Sequence, residues 1–287
     1  CSSPVTATSY AFSLHEVLAA ELGEERGLRH ALLGRRFWER QMLVGGYPEV
    51  FRGEDESSEL YDLVQAFVLR DASDRFKLRR PEALRKLLQL VATQVGALVN
   101  YSEWASICGV ATSTIQDYLG ILEECHIVRL LPVFAGGRRL ELTASPRAFF
   151  VDNGLRNFLV GDLSALDARA DRGALLENWV FGELVKAILD PADLHHWRTR
   201  GGAEVDFVLA RAGQVPMAIE AKWQGRVGRL SRGARSFLTA YTPERFVTVT
   251  LAEEGEAEIE GVQCLWVHPW NLTEHIPERY VSLPKVF

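Results

Sequence analysis

The chain has 287 residues, 47% hydrophobic and 24% charged, which suits a globular protein of two or three compact units. A formal net charge of −6 excludes binding to nucleic acid through overall positive charge, so any such role needs a local patch or a partner. No apolar run reaches the ~18 residues of a membrane span, and Cys1, Cys108, Cys125 and Cys264 are too scattered for a zinc site or disulfide framework, so a cytoplasmic protein with no membrane partner is expected.

Residues 1–78 read as broken helices. Ser13 and Glu16 have the spacing of a capping box, with Leu14, Val17 and Leu18 behind it. A second helix is predicted over 35–42, stopped by Gly45, Gly46, Tyr47 and Pro48. A third is predicted over 59–70, with Leu60, Leu63, Val64, Phe67 and Val68 on one face. Pro81 then opens a helix at the position proline favours, and Leu84, Leu87, Leu88, Val91 and Val95 keep the helical period.

Residues 79–160 change character. A helix at 102–108 ends at Gly109, and a second covers 112–122 with Ile115, Leu119 and Leu122 inward. A strand at 127–134, a turn at Gly136 and Gly137, and a return at 139–142 complete the order of a winged helix-turn-helix. The second helix ought to offer Arg, Lys, Asn or Gln to a major groove. Its outward residues are Thr112, Ser113, Gln116 and Asp117, followed by Glu123 and Glu124, without Arg or Lys. Docking on another domain is therefore the better reading. If DNA is bound there, the wing residues Arg138 and Arg139 are its expected contacts, with Arg147 as further positive charge.

The polar stretch 161–173 marks the expected start of the last unit, 161–287. A helix over 174–189, strands at 195–199, 204–210 and 215–223, a helix near 230–241 and strands at 246–251 and 262–267 predict a small α/β sandwich. Strand alternation puts Glu204, Asp206 and Val208 opposite Val205, Phe207 and Leu209. In the next strand Ala218, Glu220 and Lys222 share a face, so Asp206, Glu220 and Lys222 converge. Paired carboxylates suit a hard cation, Mg²⁺ or Mn²⁺, which lowers the pKa of bound water; a lysine beside it orients that water or stabilises charge on a phosphate. Glu177 lies within the apolar stripe Val180, Phe181, Leu184 and Ile188, where a carboxylate needs a partner or a metal, while Glu183 is expected in solvent. Asp206, Glu220 and Lys222 are thus the catalytic candidates, and Glu177, Asp206 and Glu220 the metal candidates. A structural salt-bridge cluster is the alternative. His195 and His196 read as a surface pair.

Asp206 followed by Glu220-x-Lys222 resembles the motif of PD-(D/E)xK nucleases, without the proline that often precedes the aspartate. Across nearly the whole chain, Gly45-Gly-Tyr-Pro-Glu49, Leu69-Arg-Asp71, Phe150-Val-Asp-Asn-Gly-Leu155, Gly173-Ala-Leu-Leu-Glu-Asn-Trp-Val180, Glu204-Val-Asp-Phe207 and Ile219-Glu-Ala-Lys222 resemble a prokaryotic family. In that family a predicted AAA-type P-loop ATPase is fused to a C-terminal domain of unknown function in the PD-(D/E)xK group. The resemblance implies an α/β multidomain chain: a helical ATPase-lid remnant (1–78), a winged helix-turn-helix (79–160) and a nuclease-like sandwich (161–287). No GxxxxGK[ST] loop occurs, and the chain does not begin with Met. A C-terminal portion is therefore expected, with ATP bound only through an N-terminal domain outside it and with the ATPase core, another protein or nucleic acid as partner. Within the lid, Arg70 is the candidate nucleotide sensor, although its i,i+4 spacing to Asp74 makes an ordinary helix pair the better reading.

Overall fold

Mutual capping starts the first helix, as the Ser13 and Glu16 spacing requires. In the computed structural model, which describes residues 11–23, 27–53, 55–65, 78, 80–134 and 145–281, Glu16 Oε2 accepts the Ser13 N–H at 2.8 Å and Ser13 Oγ accepts the Glu16 N–H at 3.2 Å. Helix α1 (Leu14–Leu22) follows. Helix α2 (Leu28–Val44) begins seven residues before the predicted 35. Its first turns are good helix formers, but Leu28 and Leu32 face outward and break the apolar period that sequence reading relies on. Gly45, at φ 81°, ends α2, and Pro48 at once opens α3 (Pro48–Arg52). Helix α4 (Glu56–Leu63) is capped by Asp55, which accepts the Ser58 N–H at 3.1 Å. Arg70, Arg138 and Arg139 lie outside the described residues.

Helices α5 (Pro81–Thr93), α6 (Tyr101–Cys108) and α7 (Thr112–Glu124) come next, with Gly109 in the left-handed region closing α6. Strand β1 (Val128–Leu131) pairs antiparallel with β2 (Arg147–Phe150), a partner further along the chain than the predicted 139–142, which falls outside the described residues. Helix α8 (Asn153–Val160) was not expected, because its Asn-Gly start reads as a turn. Helix α9 (Arg172–Ala187) then leads to β3 (Leu194–Arg198), β4 (Glu204–Leu209) and β5 (Met217–Lys222). After α10 (Arg232–Tyr241) come β6 (Arg245–Thr250), β7 (Gly255–Ile259) and β8 (Val262–Val267). Strand β7 was also missed; it is a glutamate-rich, largely exposed edge.

Six strands form one mixed sheet in the order β3-β4-β5-β6-β8-β7. The β5–β6 and β6–β8 pairs are parallel and the others antiparallel. One face, with Phe207, Ile219, Val247 and Val267, shares an apolar core with Val180 and Leu184 of α9 and with residues of α1 to α8. The other, with Val208, Ala218, Phe246 and Trp266, packs on Ala234, Phe237 and Leu238 of α10. Residues 11–64 contribute to the first core; Trp38 of α2 lies 5.8 Å from Trp223 and 6.5 Å from Trp179 between ring centroids.

Two motifs 106 residues apart form the seam between α2 and α8. The buried Asp152 carboxylate caps α8 by accepting the Gly154 N–H at 2.8 Å and the Leu155 N–H at 3.2 Å, and its other oxygen accepts the Gly46 N–H at 2.7 Å. Asn157 Nδ2 donates to the last carbonyls of α2, Met42 at 2.9 Å and Leu43 at 2.8 Å, groups a helix end would otherwise leave unpaired. Burial pushes the Asp152 pKa up, opposed by those N–H groups and Lys186. The close approach depends on Gly154, where an added Cβ would sit 2.1 Å from the Val44 carbonyl oxygen. A Gly154→Ala variant is expected to lose about 1–3 kcal/mol of stability through overpacking, read as a lower urea midpoint at unchanged slope; an unchanged midpoint would show that the seam yields.

Candidate functional site

The sheet end bounded by β4 and β5 gathers the predicted residues, by a route that strict alternation does not give. Strand β4 advances from Val205 to Val208 while β3 advances only from Trp197 back to His195, so β4 holds one extra residue, a β-bulge. In consequence Val205 and Val208 fall in the same apolar cluster, whereas Phe207 and Leu209 fall in the other. The expected grouping of Val205 with Phe207 and Leu209 is thereby corrected. Asp206 sits in the bulge, and its Oδ2 accepts the Ala221 N–H of β5 at 2.9 Å. Continuing the β4–β5 register from Phe207 opposite Ile219 puts Asp206 opposite Glu220.

Lys222 Nζ lies 3.0 Å from Glu220 Oε1, so Glu220 and Lys222 form an ion pair at the end of β5. Burial raises the Glu220 pKa, with Lys222 pulling it down and Asp206 pushing it further up. Burial works against the Lys222 charge, but the Asp206, Glu220 and Glu177 carboxylates outweigh it and raise the Lys222 pKa.

Glu177 comes from α9 and meets a residue that sequence reading assigned to positive charge near the wing. Arg147, the first residue of β2, is buried, with a side chain 8% exposed. Its Nη1 donates to Glu177 Oε1 at 2.7 Å and lies 3.7 Å from Asp206 Oδ1, while its Nη2 donates to Glu204 Oε2 at 3.0 Å. Arg198 Nη1 reaches the same Glu204 oxygen at 3.4 Å. One guanidinium therefore joins three carboxylates from α9 and β4. Burial, then the Asp206 charge, push the Glu177 pKa up to about 8, against the pull of Arg147.

Oxygen ligands of a Mg²⁺ ion sit about 2.0–2.1 Å from it in near-octahedral geometry. Among the described residues no three His, Cys, Asp or Glu side chains are disposed to hold a metal ion. The expected set of Glu177, Asp206 and Glu220 does not fit Mg²⁺ or Mn²⁺ in this arrangement: Arg147 takes Glu177 and faces Asp206, and Lys222 takes Glu220. A signal for Arg147 was present, since an arginine opening the apolar run Arg147-Ala-Phe-Phe150 has to be buried with carboxylates or not at all.

Other expectations change. Glu183 is not solvated; it is 1% exposed, accepts the Leu14 N–H at 2.8 Å and pairs with Lys186 at 2.5 Å, tying α9 to the start of α1. Among the outward residues of α7, Thr112, Ser113, Gln116 and Asp117 are exposed, but half-buried Glu123 accepts the Leu130 N–H at 2.9 Å and so braces β1. His196 is not on the surface. It is 1% exposed, its backbone bridges to Pro132 and Phe134, and burial followed by the Arg147 charge holds its imidazole down to about 3. No described helix is long and apolar enough to cross a membrane.

The Glu177 shift sets a pH dependence. A carboxyl raised in the folded chain keeps its proton where the unfolded chain has lost it, so its contribution to stability falls from the usual carboxylate range up to about pH 8 and is flat above. Glu177→Gln is expected to flatten the stability profile in that window, measured by urea unfolding at several pH values; an unchanged profile would remove Glu177 as its source.

Residues 35–166 match a family profile described as a domain of unknown function (DUF8612), and residues 172–270 match another described as a domain of unknown function (DUF4143). Uncharacterized proteins of Mycobacterium bovis and Mycobacterium tuberculosis are each 33% identical to the chain over 226 residues, covering 76% of it and 50% of the relative. An uncharacterized protein of Haemophilus influenzae is 25% identical over 237 residues, 79% of the chain and 56% of that protein. The chain thus spans about half the length of the relatives it matches. No solved structure matches it.

Proposed function

We propose that residues 161–281 are a nuclease-like α/β module that binds without cutting, within a longer protein that also holds an AAA-type ATPase. The observation that carries this reading is Arg147, whose guanidinium stands among Glu177, Glu204 and Asp206 where a divalent cation would need free oxygens. Support for nuclease kinship comes from Asp206 opposite Glu220, from Lys222 beside Glu220, and from a mixed sheet with α9 on one face and α10 on the other. Helices α6 and α7 followed by β1 and β2 support reading residues 79–160 as a winged helix. On this reading the winged unit holds the ion cluster, because β2 supplies Arg147. The ATPase assignment is supported by the motif resemblance and by the half-length coverage of the relatives. ATP would be bound by the part of that protein outside this chain, and Arg70 is the residue by which the lid would sense it.

The competing function is a Mg²⁺- or Mn²⁺-dependent DNA phosphodiesterase using Asp206, Glu220 and Lys222. Incubation of the chain with supercoiled, linear and single-stranded DNA over a range of Mg²⁺ and Mn²⁺ separates the two. The binding-module reading expects no cleavage. Metal-dependent cutting that disappears in Asp206→Ala and in Lys222→Ala would overturn it.

A further inference from the structure

The net charge of −6 hides a strongly basic segment at the same end of the sheet. Residues 221–243 contain Lys222, Arg226, Arg229, Arg232 and Arg235 and no acid; without these five charges the rest of the chain carries −11. Lys222 is engaged by Glu220. The four arginines are all exposed, and none has a carboxylate partner within ion-pair distance among the described residues.

The backbone places these four residues in two pairs. Arg226 and Arg229 stand at the ends of one turn, closed by a 3.0 Å bond from the Arg229 N–H to the Arg226 carbonyl, with Gly228 at φ 78°. The turn is pinned from below: the Gly225 N–H donates to Thr250 Oγ1 at 2.8 Å, and Val227 packs on Gly255. Arg232 and Arg235 are three residues apart on α10, in its first turn and the next. Ser231 caps α10 by accepting the Ala234 N–H at 3.0 Å, and its hydroxyl lies close enough to Glu220 to help hold the Glu220 pKa down. Gly233 lets α10 press against β4, since an added Cβ would lie 1.9 Å from the Glu204 carbonyl oxygen. The arginines therefore border the carboxylate–lysine cluster on a fixed frame.

Such a placement works against stability. Four unpaired like charges repel, and cations at a helix N-terminus oppose the macrodipole. An anionic ligand reverses both terms. Guanidinium groups match phosphate oxygens bidentately, better than ammonium groups do. A protein partner fits less well, since the centres of protein interfaces are built on apolar and aromatic anchors and no large exposed hydrophobic residue falls within 222–243; an anionic lipid surface is separated by the vesicle arm of the test. We infer that Arg226, Arg229, Arg232 and Arg235 form a binding surface for the phosphodiester backbone of a nucleic acid. This rests on the binding-module reading and names its partner. It also places the contact away from the acidic helix α7.

The test is fluorescence anisotropy of the full chain with labelled duplex and single-stranded oligonucleotides of about 20 nucleotides, in EDTA. With four duplex phosphates neutralised, the log–log salt slope is expected near −3.6, a roughly hundredfold loss of affinity between about 50 and 200 mM salt. Replacing all four arginines by glutamate abolishes binding, and the pairs Arg226→Ala with Arg229→Ala, or Arg232→Ala with Arg235→Ala, each lower the slope by about two. Circular dichroism checks that these variants fold. Glutamate at the exposed Arg85 and Lys86 of α5 leaves binding unchanged. Absence of nucleic-acid binding, full binding by folded paired-alanine variants, or equal affinity for poly-glutamate or phosphatidylserine vesicles would each overturn the inference. Since EDTA excludes metal-dependent cutting, failure here leaves the non-cleaving reading to its own cleavage test.

Discussion

The Arg147 guanidinium is the interaction on which the arrangement of this chain turns. It leaves β2, before the polar stretch 161–173 in the chain, and ends among carboxylates of α9 and β4, after it. A buried guanidinium is costly unless carboxylates face it. Arg147 Nη1 and Nη2 meet Glu177 and Glu204, although its buried Nε has no partner among the described residues, and the pairing ties β2 to α9 and β4. In the same arrangement Glu177 Oε1 and Glu220 Oε1, oxygens that a metal would need, face Arg147 and Lys222 instead.

A second constraint works beside it without charge pairing. Asp152, two residues beyond β2, spends its carboxylate on three backbone N–H groups, one from the Gly45-Gly46 turn and two from its own helix. Asn157 closes the end of α2, and glycine at 154 allows the contact distance. The stretch from Arg147 to Asn157 thus faces the sheet at one end and the N-terminal helices at the other. Two motifs that carried the family resemblance, at 45–49 and 150–155, meet in this packing through Gly46, Asp152 and Gly154. Glu183 adds a third tie, from α9 to the first N–H of α1.

How far the sequence was legible follows from which signals are local. The capping box at Ser13, the glycine-proline stop at 45–48 and the strand pair at 204–222 rest on neighbours in the chain, and each is found where it was read. Helix α8 and strand β7 were hidden because an Asn-Gly start and a run of glutamates imitate loops. The gathering of Asp206, Glu220 and Lys222 was legible from strand period, but the bulge in β4 was not, and it is the bulge that turns Asp206 toward Ala221. The burial of Arg147 had a local signal, but the identity of its partners was beyond reach. Its three partners lie 30, 57 and 59 residues away, and periodicity does not report such a distance. The arginine run from 226 to 235 was visible but was masked by the negative net charge of the whole.

The central claim, that Arg147 is the resident cation of the cluster, is tested most directly by a double-mutant cycle. Arg147→Met, Glu177→Gln and the combined variant would be compared with the parent chain by urea unfolding at a pH above about 8, where Glu177 is ionised. The account predicts a coupling free energy of about 1–3 kcal/mol, the double variant being more stable than the sum of the two losses implies. Losses that add to within about 0.5 kcal/mol would show that the two groups do not depend on one another, and would contradict it.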